Sequence, residues 1–309
     1  MKFRTGALCW SEELKEKSPL KGKFFEYSFE KHHYRHSSPT NWELIITAID
    51  EERAQRSYEL FIASLTLISG HTIYSIGDLP SVISYGMDFI NPPEDFYYIN
   101  AKQYSTSGIF TAAQLATKAS FRKKHSISLL KYLFACSQHS NYLIHLDPFH
   151  SGYEKLSRNP LDHLRYSYAI LTLYSIIEEI GIEIRASQKN PSKIDGEWNP
   201  IIKKDLEKRI KNSKIDINKK AHWNLRSRPT KIQPKDKLNI TGKASWARYS
   251  IRDSTIEIID AISYLSWLRS KILAHKLSDK YTSISIYDVA NVNFLIRQFL
   301  MDILKEKRG

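Results

Sequence analysis

Apolar residues recur at helical spacing along most of this chain. In EERAQRSYELFIASLTLIS, residues 51–69, Leu60, Ala63 and Leu67 form a stripe among strong helix formers, which predicts an amphipathic helix. TAAQLATKAS (111–120) and SISLLKYLFACSQ (126–138) predict two more. The clearest pattern is NPLDHLRYSYAILTLYSIIEEIGIEIRAS, residues 159–187. There Leu164, Ile170, Leu171, Leu173, Ile176, Ile177 and Ile180 make the helix apolar almost all round, as a central bundle helix should be. Pro160 suits its first turn. PIIKKDLEKRIKN (200–212) predicts an amphipathic helix, and another should run from about Asp253 to about His275. The last is IYDVANVNFLIRQFLMDILKEK, residues 286–307, whose basic end suits the helix dipole. Segments such as GDLPSVISYGMDFINPPEDFYYIN fit no helix and predict short strands or irregular packing.

One position breaks the pattern. It lies in SYLSWLRSKILAHKLSD, residues 263–279. At about 100° per residue, Ile258, Ile262, Leu265 and Ile272 share a face, and Arg269 falls on that face or at its margin. A charge on a buried stripe is costly unless it is paired or opens into a wet site. Three arrangements satisfy the arginine. It can snorkel to solvent, pair with Glu178 or Glu179 of the central helix, or line a cleft between two copies of the bundle.

No internal repeat or low-complexity tract divides the 309 residues. The natural boundary is near residue 150, in HLDPFHSGYEKLSRNP. It separates a mostly helical N-terminal domain, 1–150, from a C-terminal helical bundle, 151–309, in a mainly α chain. Charge then sharpens the picture. The net charge is +13, which favours polyanionic partners, nucleic acid first. Residues 189–252 hold eighteen Lys and Arg against six Asp and Glu, a surplus of twelve that reads as a basic insertion. Interleaved aromatics and bases suit stacking plus phosphate neutralisation. Arg226, Arg228, Arg248, Arg252, Trp223 and Trp246 are therefore candidate RNA contacts. The tryptophans can equally pack the insertion onto the core, and Arg248 and Arg252 can form an ion network with Asp253.

Composition narrows the chemistry. No apolar run reaches 18 residues and no secretory h-region follows the start, so a cytoplasmic protein with no membrane partner is expected. Two cysteines, Cys9 and Cys136, make no disulfide framework. There is no P-loop, dinucleotide glycine fingerprint or Gly-x-Ser-x-Gly elbow. His32, His33 and His36 lack carboxylates or cysteines at ligand spacing, and His145 and His150 of HLDPFH read as part of the domain junction. No metal and no other cofactor is expected.

Arg269 and His275, in SWLRSKILAHK, have five residues between them. This resembles the Arg-x(4–6)-His signature of HEPN domains, over about residues 159–307. A second such spacing, Arg158 to His163, contains Pro160 at a helix start and precedes the central helix, so it is set aside. The resemblance implies an all-α bundle with the motif near a helix end, and two protomers joining their motifs across a homodimer. It also implies metal-independent endoribonuclease activity of the kind found in toxin–antitoxin, abortive-infection and CRISPR systems. His275 would move protons and Arg269 would hold phosphate charge, with Ser270, Glu178 and Glu179 in support. RNA would be the substrate, an antitoxin or trigger protein the regulator, and residues 1–150 the regulatory or sensing part. Two departures stand out. Ser270 occupies a position where the family often has Asn, Asp or His, and Leu277 stands where some toxins carry a modifiable tyrosine. The alternatives are a non-catalytic RNA- or nucleotide-binding module, and a helical scaffold in which Arg269 is an ion-pair partner.

Overall fold

Phe25, Tyr27 and Phe29 alternate with polar residues as a strand requires, and Asp50 and Asn199 stand as caps before two of the helices. The computed structural model describes residues 1–10, 19–32, 41–70, 81–85, 106–143, 160–224, 253–270 and 286–305. The chain divides into two compact units, Met1–Leu133 and Phe134–Gly309. The division falls inside a helix, while the boundary expected near residue 150 lies outside the described residues. Among those residues the protein is mainly helical, with seven helices and small antiparallel sheets.

The first unit opens with β1 (Lys2–Trp10), β2 (Leu20–Lys21), β3 (Phe25–His32) and β4 (Asn41–Ala48). With β5 (Ile83–Ser84) they form an antiparallel sheet in the order β2-β3-β4-β1-β5. Only β5 falls in a segment that predicts short strands; β1 to β4 do not, and the sheet adds a β layer to a unit expected to be mostly helical. Phe3, Tyr27, Leu44 and Ile46 are buried on its inner face. The Tyr27 hydroxyl donates to the Ser57 carbonyl of α1 (Glu51–Ser69), which packs on β1, β3 and β4. Asp50 caps α1 by accepting from the Arg53 N–H at 2.8 Å. Gly70 closes the helix with φ 83°, where a side chain would be strained. Next come α2 (Thr106–Ser120) and α3 (Lys123–Leu143). These extend the helices expected at 111–120 and 126–138.

In the second unit, α4 (Pro160–Ile180) buries Tyr166, Ala169, Ile170, Leu173, Ile176, Ile177 and Ile180. Leu161, Leu164 and Tyr168 are exposed, so its apolar surface is less completely covered than a central helix implies. The helix ends seven residues earlier than expected. Gly181 adopts φ 81°, and the Ile182 N–H closes back on the Ile177 carbonyl at 3.0 Å, a Schellman stop. An Asp195–Gly196 turn joins β6 (Lys193–Ile194) to β7 (Glu197–Trp198), both turn residues having positive φ as a type I′ hairpin requires. Asn199 then caps α5 (Pro200–Asn212), whose Pro sits in the first turn.

The expected helix from Asp253 begins instead as a strand. β8 (Lys220–Asn224) pairs antiparallel with β9 (Asp253–Glu257), which leads directly into α6 (Ile258–Leu268). The last helix, α7 (Ile286–Lys305), packs on α4 and β8. Asn293 donates to the Cys136 sulfur at 3.1 Å, tying α7 to the second half of α3. The described part of the basic stretch is therefore built into this unit. Ile202, Leu206, Ile210, Ile215, Ala221 and Trp223 are all buried.

Candidate active site around Arg269

Leu268 is fully buried and the next residue is not. At Arg269 and Ser270 the end of α6 widens into a π turn, the kind of irregularity that re-aims a side chain. The Ser270 hydroxyl donates to the Ser266 carbonyl at 2.9 Å, satisfying a backbone oxygen of its own helix.

The arginine swings over α4. Its Nη2 lies 3.2 Å from Glu178 Oε1, and both side chains are nearly half exposed, at 48% and 42%. Its guanidinium carbon sits 4.8 Å from the centre of the Tyr174 ring. Tyr174 and Glu178 are four residues apart on α4, so they lie on one helix face and receive the arginine together. The Tyr174 ring is buried, and burial pushes its hydroxyl above the usual tyrosine range. A hydrogen bond with Ser266 and the nearby Arg269 charge oppose that rise. Ser266, on α6, is thereby linked to the platform on α4.

Of the three arrangements open to Arg269, the structure combines the first two: a partly solvated side chain paired with Glu178. Glu178, not Glu179, makes the contact with Arg269; Glu179 is half-buried nearby on α4. Guanidinium has five N–H donors in a planar fork, and a single carboxylate contact leaves donors to bind a phosphate. Behind the arginine the packing is aromatic. Tyr264 stacks on Trp267 with ring centres 5.7 Å apart, and its hydroxyl donates to Asp288 Oδ1 at 2.7 Å.

The structure corrects one expected RNA contact. Trp223 is fully buried and meets Tyr264 edge-on with centroids 5.5 Å apart. Like Ala221 two residues before it on β8, it faces the core, so no base can stack on it. His275, Arg226, Arg228, Arg248, Arg252 and Trp246 lie outside the described residues. So do Arg158, His33, His36, His145 and His150; His163 is buried. Among the described residues, no group of three or more His, Cys, Asp or Glu is placed to hold a metal, and no helix is long and apolar enough to cross a membrane. Sequence reasoning missed Tyr174 and Ser266. The available signal was the four-residue spacing of Tyr174 and Glu178.

Compared with protein families, with curated proteins and with solved structures, the chain matches none of them.

Proposed function

We propose that the C-terminal unit is a HEPN-type, metal-independent endoribonuclease that acts as a homodimer in the cytoplasm, in a toxin or anti-phage role. The observation that carries this is the half-exposed Arg269 guanidinium, set by Tyr174 and Glu178 at the end of α6. His275 follows six residues later. In this reading the 2′-OH of RNA loses its proton to His275 of one protomer, and its oxygen attacks the adjacent phosphorus. The bond from phosphorus to the 5′-oxygen breaks, and that oxygen takes a proton from the second histidine of the dimer. Arginine stabilises the crowded phosphorane, since it stays charged and grips two phosphate oxygens at once. Products are a 2′,3′-cyclic phosphate and a 5′-OH. An antitoxin or trigger protein would control the site through residues 1–150.

The Glu178 contact also supports a second reading, in which Arg269 is an ion-pair partner in a helical scaffold. RNA cleavage in EDTA, with product ends mapped, separates the two. The nuclease cuts, and His275→Ala stops it without changing the circular dichroism spectrum. Cutting that persists in that variant removes the catalytic assignment. Binding without cutting identifies a non-catalytic RNA module, and neither binding nor cutting leaves the scaffold.

A further inference from the structure

A second basic surface lies in the N-terminal unit, outside the stretch where the sequence concentrates positive charge. Two turns build it. The first joins β2 to β3 through a two-residue loop, Lys23 and Phe24, closed by the Gly22 N–H on the Phe25 carbonyl at 2.9 Å. A Cβ at position 22 would come within 2.5 Å of the tip of the Phe25 ring, so any larger residue there would require the ring to shift. The second joins α2 to α3 through Phe121 and Arg122. The two turns touch where the Lys23 N–H donates to the Ser120 hydroxyl oxygen at 2.9 Å.

Two aromatic rings stand out from this corner. Phe24 is 58% exposed and Phe121 41%. Cations border the first: Lys23 Nζ is 4.9 Å from the Phe24 ring centre and the Arg53 guanidinium carbon 5.6 Å. Lys21, Arg122, Lys123 and Lys124 are all exposed around them. Exposed Glu51 and Glu52 lie in the first turn of α1, with Glu52 paired to Arg56, while Glu26 is 3.9 Å from Lys21 and Asp50 is 3.7 Å from Arg53. The last two are long contacts that an incoming phosphate can replace. The positive field is felt locally. His125 has its pKa lowered to about 4, by burial first and then by Lys124 and Arg122.

We propose that this corner of the N-terminal unit binds single-stranded nucleic acid, with bases stacked on Phe24 and Phe121 and phosphates held by Lys23, Arg53, Arg122 and Lys124. Exposed aromatic faces bordered by cations match the base–phosphate repeat of a single strand. An anionic membrane is the other polyanion to weigh. Two rings offer a small wedge for a bilayer, and Glu26 and Asp50 would face its headgroups. The surface belongs to the unit without Arg269, and its occupancy does not depend on the nuclease reading.

The test is binding of the intact protein to a fluorescent 2′-O-methyl oligouridylate, which has no free 2′-OH to attack. Wild type should bind with steep salt dependence. Phe24→Leu keeps an apolar side chain without a ring face and should weaken binding about tenfold or more. Each of Lys23→Gln, Arg122→Gln and Lys124→Gln should flatten the logarithmic salt slope by about 0.7. All four residues are exposed, and unchanged thermal unfolding checks that the variants fold. Absence of binding by wild type overturns the proposal, as does an affinity unchanged in Phe24→Leu and in the triple glutamine variant. It is also overturned if the triple variant loses phosphatidylserine vesicles while keeping the oligonucleotide.

Discussion

Two arginine–glutamate pairs, one from each unit, are built differently. In the N-terminal sheet, Arg4 of β1 meets Glu43 of β4 with side-chain exposures of 10% and 2%. Nε reaches both carboxylate oxygens at 3.1 Å, and Nη2 reaches one at 2.8 Å. In the C-terminal unit, Arg269 makes a 3.2 Å contact with Glu178 and leans on a ring, half in water. The first geometry holds a charge that has nowhere else to go. The second holds a charge in place while leaving it able to exchange partners. Burial, not the pairing itself, separates an arginine that maintains a fold from one that can serve a ligand.

The largest expected effect comes from breaking the buried pair. Glu43→Ala leaves a guanidinium in the sheet without this carboxylate and should cost about 3–5 kcal/mol of stability. Urea denaturation of the N-terminal transition measures it. Replacing both partners with apolar residues, Arg4→Met with Glu43→Leu, should recover most of that loss. If the single substitution costs no more than a surface pair, the contrast between the two arginines collapses.

Arg269→Ala should behave in the opposite way. A half-exposed pair contributes up to about 1 kcal/mol, and a ring contact about as much again at such a site. Stability should therefore fall by no more than about 2 kcal/mol, while RNA cleavage falls by roughly 10²–10³. A stability loss matching that of Glu43→Ala would make Arg269 structural and favour the scaffold.

The same contrast explains what could be read from the sequence. The apolar patterns of α1 and α5 predict their observed ends, and in the structure Asp50, Gly70 and Asn199 cap them there. α4 was drawn too long, since Ile182 and Ile184 continue its apolar run and Gly181, the residue that stops it, weighs little in a hydrophobic pattern. β9 falls where the pattern predicts the start of a helix, and β8 falls in a stretch that predicts no element, although Ala221 and Trp223 alternate with polar residues in the sequence. Phe25, Tyr27 and Phe29 likewise alternate with Glu26, Ser28 and Glu30, a period-2 signal for β3. Of the candidate site, the clash between Arg269 and its stripe was legible, and so was Glu178 as a partner. The π turn was not, because it departs from the regular helical spacing on which such a pattern rests. Nor could burial of Trp223 be separated from exposure, since aromatic and basic residues interleave identically in a binding surface and in a packed hairpin.

Tyr174 tests how the half-exposed arginine is held. Tyr174→Phe keeps the ring under Arg269 and removes the hydroxyl that bonds with Ser266, at a cost of about 1 kcal/mol. Tyr174→Leu also removes the ring face, worth about 0.5–1 kcal/mol more. Cleavage should survive the first substitution nearly intact and fall in the second. Equal losses in both would assign the role to the hydroxyl and not to the platform.

A group in the N-terminal unit answers burial in a third way, and its effect appears only on acidification. His125 sits half-buried beside Lys124 and Arg122, and unlike an arginine it can discard its charge. Burial, then those two cations, lower its pKa to about 4, against about 6.5 for an unfolded chain. Between these values the unfolded state binds a proton that the folded state refuses, so stability rises with pH through the window. Acidification from about pH 6.5 to about 4 should therefore destabilise the N-terminal unit through His125, with no further contribution from it below the folded value. The difference in stability between wild type and His125→Gln, followed across that range, isolates this contribution from the carboxylates that titrate nearby. An NMR titration of the imidazole with a midpoint near that of a free histidine would show that the corner is wetter, and its positive field weaker, than the packing of α3 implies.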